Sequence, residues 1–126
     1  MKGMPLLLFI ASLLFIASSC NHVDSKEDLT IDQNIKQLIF FTDDQAYEHE
    51  VTYYDAIIEL KKEFPIDIKN MKIITAANAK KYYDQFDIDG CPAILLVYND
   101  KILVKVKGEA TKEQIVKPLY SALKNK

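Results

Sequence analysis

The chain contains no arginine. All 16 of its basic residues are lysine, set against 18 acids for a formal charge of −2. Guanidinium forks, which grip phosphate or carboxylate at two points, are therefore missing. No basic stretch interleaved with aromatics occurs either, so nucleic acid is not expected as a partner. The lysine-rich segment KILVKVK (101–107) alternates charge with aliphatics and reads as one solvated face of a strand. There is no internal repeat or low-complexity tract. Histidine occurs twice, and Glu48-His49-Glu50-Val51-Thr52-Tyr53 lacks the second histidine of H-E-x-x-H, so a zinc hydrolase is unsupported. Cysteine also occurs only twice, at Cys20 and Cys91, far apart and with no C-x-x-C pair.

No apolar run is long enough to span a bilayer comfortably. The longest, Met4 to Ala17, is short of the ~20 residues a spanning helix needs. It follows Lys2 and leads into Ser18, Ser19 and Cys20, the order of charged, apolar and small residues found in a secretory signal. Ile16-Ala17-Ser18-Ser19-Cys20 resembles the lipobox of bacterial lipoproteins, with alanine at Ala17 where leucine is usual. That resemblance implies that residues 1–19 are a cleaved signal peptide and that Cys20 becomes a lipidated N-terminus. It further implies a protein anchored in the bacterial cell membrane on its extracytoplasmic face. Two or more acyl chains make a lasting anchor where one does not. An ordinary signal peptide with an incidental cysteine is the plainer alternative.

Residues 20–34 then read as lipidated N-terminus and tether, polar and acid-rich from Asn21 to Asn34. Without residues 1–19 the chain keeps 15 lysines against 18 acids, formally −3. If Cys20 carries lipid, Cys91 is the one free thiol in a disulfide-permissive place.

The domain is expected over 35–126. Residues 36–42 form an apolar run that reads as a buried strand, and Asp43 to Ala46 a loop. From Glu48 to Phe64, Val51, Tyr54, Ile57, Ile58 and Phe64 follow helical spacing, and Pro65 is expected to stop that helix. Met71 to Thr75 reads as a second strand and Asn78 to Phe86 as a short helix. Ala93 to Tyr98 is apolar on both faces and so central in a sheet. Asn99-Asp100 then turns the chain into an edge strand. Thr111 and Gln114 form a capping box that opens the last helix, where Pro118 is expected to kink or split it near Lys117. The order is β-α-β-α-β-β-α: an α/β fold whose first two strands are parallel and last two antiparallel, a mixed four-stranded sheet flanked by helices.

This order resembles the thioredoxin family from Gln37 to Leu123. The resemblance rests on LIFF before a loop and long helix, on YYDQFDIDG before Cys91-Pro92, and on the closing AILLVYNDKILVKVKGEATKEQIVKPL. It implies a thioredoxin-like fold, a cis peptide at Pro92, and backbone at Cys91 able to pair with an extended substrate segment. It also places the family's C-x-x-C pair on Tyr47-Glu48-His49-Glu50, where no cysteine stands. Dithiol–disulfide chemistry within the chain is thereby excluded.

What the resemblance leaves is a groove beside Tyr47, Glu48, His49, Glu50, Cys91 and Pro92. A protein or peptide bound there would make this a binding, adapter or chaperone-like module without a cofactor. Two other readings stand beside it. Cys91 as a reactive monothiol would need its pKa lowered, which Asp43, Asp44, Glu48 and Glu50 oppose; a buried, inert cysteine is the plainer role. Cys91 and His49, with Glu48, Glu50 or His22, also supply thiolate, imidazole and carboxylate donors for copper or zinc. The acids have a plain use as well, since negative charge at a helix start complements the helix dipole.

Overall fold

Six successive residues of LIFF and its neighbours are buried on both sides, which requires a strand covered above and below. The computed structural model describes residues 29–125, and from Ile31 onward the chain forms a compact unit of its own. The proposed signal, Cys20 and His22 lie outside the described residues. Strand β1 (Gln37–Thr42) is buried throughout. It pairs in parallel with β2 (Lys72–Thr75) and antiparallel with β3 (Ala93–Tyr98), which pairs antiparallel with β4 (Lys101–Lys107). The sheet order is β2-β1-β3-β4, so the two apolar strands lie at the centre as expected. The hairpin turns on Asn99 and Asp100, both at positive φ (51° and 63°), the pairing that suits a tight turn between twisted strands. On edge strand β4 the pairing jumps from Val104 to Ile102, leaving Leu103 as an extra bulged residue.

Strand alternation divides the core in two. Leu38, Phe40, Ile94 and Leu96 point to one face, where they pack under Tyr53, Ala56 and Leu60 of α1 (Val51–Glu63). Ile115 and Leu119, from the last helix, close the same cluster. On the opposite face Phe41 meets Phe86, with ring centroids 5.9 Å apart.

Three elements differ from the sequence reading, each for a local reason. Pro65 does end α1, but it also starts α2 (Pro65–Lys69): Phe64 leaves helical geometry, and proline is preorganised for the first helical position. The helix expected over 78–86 starts earlier and is segmented into α3 (Ala76–Ala79), a 3-10 turn at Lys80–Tyr82 and α4 (Tyr83–Phe86). Asp87 ends it in the left-handed region, at φ 53°. The last helix, α5 (Lys112–Lys124), is neither split nor ended at Pro118. Proline removes one hydrogen bond there, but Ile115 and Leu119 on either side of it are fully buried, and tertiary packing holds the helix together. The capping box at Thr111 and Gln114 is present with both of its reciprocal bonds.

Candidate functional site

The sequence-predicted residues converge at one end of the sheet, where β1 ends and β3 begins. The loop expected after β1 is largely a 3-10 helix (Asp44–Glu50), and Asp43 caps it by accepting the Gln45 N–H at 3.0 Å. This helix delivers Glu48 and His49 to the rim just before α1 starts. Facing them is the loop before β3, in which the Cys91–Pro92 peptide is cis, as the resemblance implied. A third wall comes from Gly108 to Gln114, the loop after β4 and the first turn of α5. Between these walls lies an open groove of about 1020 Å³, lined by Glu48, His49, Val51, Thr52, Cys91 and Pro92 on two sides. Gly108, Glu109, Ala110, Thr111, Lys112 and Gln114 line the third.

Two hydrogen bonds tie the walls together. The Gly108 N–H donates to the Pro92 carbonyl at 2.9 Å, and the Tyr53 hydroxyl donates to the Gly108 carbonyl at 2.7 Å. Gly108 itself sits at φ 71°, where residues with a Cβ are strained. Tyr53 is fully buried, and that burial, with the Glu50 charge as a second cause, pushes its pKa up to about 12. It therefore stays a hydrogen-bond donor across the physiological range. From below, Lys112 pairs with Glu59 of α1 at 3.4 Å.

Four of the six expected groove residues line this cavity; two are placed otherwise. Tyr47 is 58% exposed and stacks on Tyr54, with centroids 5.2 Å apart, outside the groove lining. Glu50 is not at the surface at all: its relative exposure is 0%. A carboxylate this deep needs hydrogen-bond partners, and β1 provides them. The Thr42 hydroxyl donates to one oxygen and the Asp43 N–H donates to the other at 2.8 Å. The Tyr54 hydroxyl stands 2.9 Å from Thr42 Oγ1 and 3.5 Å from Glu50 Oε1. Glu50 thus fastens the end of β1 to the start of α1, and helix-dipole complementation from the surface is not its role. Its identity as an acid at a helix start gave no sign of this. Tyr53 and the Gly108–Gln114 wall were also missed, although the capping box marks where that wall begins.

Cys91 is partly exposed and unpaired. Burial raises its pKa; a hydrogen bond from the Tyr83 side chain acts the other way, and the charges of Glu50 and Asp43 raise it further. The net effect keeps the thiol protonated beyond its ordinary range, which opposes nucleophilic attack. Alkylation of Cys91 in the folded protein is accordingly expected to require higher pH than in the urea-unfolded chain. Rates measured by intact mass across pH, with Cys20 replaced by serine, would show this as an alkaline displacement of the native profile. A native profile at or below the unfolded one would contradict it. For the metal reading, no group of three His, Cys, Asp or Glu side chains among the described residues is placed to hold an ion.

Among the described residues, no helix is long and apolar enough to cross a membrane. The chain is similar in structure to thioredoxin 1 of Thermosipho africanus (TM-score 0.54, 14% identity, covering 69% of this chain and 93% of that one). It is likewise similar to a thioredoxin of Trypanosoma brucei brucei (TM-score 0.56, 19% identity, 74% and 79% covered). At such identities the likeness speaks for the fold alone, and the fold is thioredoxin-like. In sequence, the chain is 34% identical over 88 residues to the Pal-related lipoprotein of Bacillus subtilis strain 168, covering 69% of this chain and 68% of that one. No family model matches it.

Proposed function

The chain belongs to the family of the Pal-related lipoprotein of Bacillus subtilis, and from that premise we propose that it works as a membrane-anchored binding module. In this reading residues 1–19 are removed and the acylated Cys20 fastens the protein outside the cytoplasmic membrane. Its thioredoxin-like domain then holds an extended segment of a partner protein in the groove, as an adapter or chaperone-like module. No dithiol cycle takes part.

The observation that carries this reading is the groove itself. Glu48 and His49 stand where a dithiol is absent, opposite a Cys91 thiol that its surroundings keep protonated. Hydrogen bonds through Tyr53 and Gly108 hold the walls in place, so the groove is formed before any ligand arrives. That lowers the ordering cost of binding. A monothiol role would need a thiolate at this same position, and burial with two neighbouring acids works against one.

The test is amide chemical-shift mapping with a carboxymethylated, permanently unfolded model protein as probe. Shifts are expected at Cys91, Gly108 and Ala110. Ala110→Trp, which fills the groove, should abolish them, and Cys91→Ser should leave them unchanged. Absence of groove shifts up to about 1 mM, the weak limit of specific binding, would refute the proposal. Loss of the response with Cys91→Ser would mean that the thiol itself makes the contact without a covalent bond, since the carboxymethylated probe offers no sulfur for exchange.

A further inference from the structure

Helix α1 carries a second surface, which borders the groove at Val51 and does not depend on what the groove binds. Its buried residues, Tyr53, Ala56 and Leu60, define the side that faces the sheet. On the opposite side lie Val51, Asp55, Ile58 and Lys62, all exposed, with Val51 at 41% and Ile58 at 60%. At about 100° per residue these four fall within roughly 60° of one another. Their spacing of four, three and four is that of a helix seam that packs against another helix at about 20°. Single exposed aliphatics are ordinary on protein surfaces, so the charges between them decide what this seam fits.

Asp55 and Lys62 flank Ile58, one before it and one after. A second copy laid parallel would set Asp55 on Asp55 and Lys62 on Lys62. Laid antiparallel, with the two-fold axis beside Ile58, each Asp55 meets the other copy's Lys62, and the pair forms twice by symmetry. The Ile58 side chains of the two copies then fill the centre between the two ion pairs, and Val51 lies outside them. We propose that this outward face of α1 is a self-pairing surface, and that two copies associate through it with antiparallel α1 helices. Two exposed aliphatics make a weak contact in free solution. Confinement to a membrane surface would strengthen it by raising effective concentration, but the pairing does not depend on that confinement.

The test uses the full chain with Cys20→Ser and Cys91→Ser, so that one introduced cysteine reports. Ile58→Cys places thiols across the proposed axis, and Lys101→Cys at the β3–β4 hairpin serves as control. Under a mild oxidant, Ile58→Cys should form a disulfide-linked dimer faster than the control by about fivefold, the factor that two exposed ion pairs together supply. Adding Asp55→Lys or Lys62→Asp alone should return the rate to the control, and adding both should restore it. These are surface changes, and far-UV circular dichroism would verify that each variant stays folded. Ile58→Cys cross-linking no faster than the control would overturn the proposal, as would a double reversal that fails to restore it. So would a mixed disulfide with another protein in place of the dimer when the same variant is expressed in cells.

Discussion

Replacing Phe40 with alanine is expected to cost the domain about 3–5 kcal/mol, within the range for removing a fully buried aromatic. The ring is 1% exposed and sits where three elements meet. It lies parallel to Tyr53 at 5.9 Å and edge-on to Tyr54 at 5.7 Å. Its strand neighbours are Ile73 on one side and Ile94 on the other. None of these can move into the space, because each is fixed by strand pairing or by its own hydrogen bond. The penalty therefore combines lost transfer energy with a cavity that stays open. Since typical domains have only about 5–15 kcal/mol in hand, the variant should be near the edge of folding. Urea titration would show a much lower midpoint with the slope unchanged. A loss below about 1 kcal/mol would mean that the pocket collapses around the missing ring.

The second large effect belongs to Glu50. Glu50→Ala should cost about 2–4 kcal/mol, because it strands the Asp43 N–H at about 1–3 kcal/mol, leaves the Thr42 hydroxyl with the Tyr54 hydroxyl alone and opens a void. Glu50→Gln keeps the volume and one acceptor oxygen, and should cost roughly half as much. Stability is only one readout. The Glu50 charge is among the causes that raise the Cys91 thiol, so its removal in Glu50→Gln should move the alkylation profile of Cys91 toward lower pH. The move should be partial, because burial is the larger cause and remains. If Glu50 were an ordinary surface acid, both variants would stay within about 0.5 kcal/mol and the Cys91 profile would not respond.

Those two residues also show what sequence could and could not convey. Phe40 was legible: an apolar and aromatic run of strand length has few uses besides a central strand. The hairpin was legible from Asn99-Asp100 and the last helix from its capping box, because such signals act over a few neighbouring residues. Glu50 was not. Whether an acid at a helix start faces water or a buried hydroxyl depends on where β1 ends in space, and Thr42 carries no mark of that partnership. Pro118 misled in the same way, and Pro65, which ended α1 as expected, gave no sign of the helix that begins on it. Proline's local effect is known in advance, but whether buried neighbours override it, or a new helix begins on it, is settled by packing. The groove was half legible. The walls bearing His49 and Cys91 followed from the thioredoxin resemblance, whereas the Gly108–Gln114 wall is brought there by the turn of β4 back toward α5.

One modest contact has a mechanical consequence. The Gln33 side chain donates to Asp100 at the tip of the β3–β4 hairpin at 2.7 Å, and Lys36 reaches back to the carbonyls of Ala122 and Asn125 at the end of α5. The polypeptide therefore joins its folded unit at the hairpin pole, while Pro92 marks the other pole, across the length of β3. Six strand residues separate the two by roughly 20 Å. A pull on the N-terminal side would be borne first by Gln33, Lys36 and the lower ends of β1 and α5, far from Tyr53 and Gly108. A load entering at that pole can therefore loosen Gln33 and Lys36 while the walls of the groove, held at the opposite pole by Tyr53 and Gly108, keep their spacing.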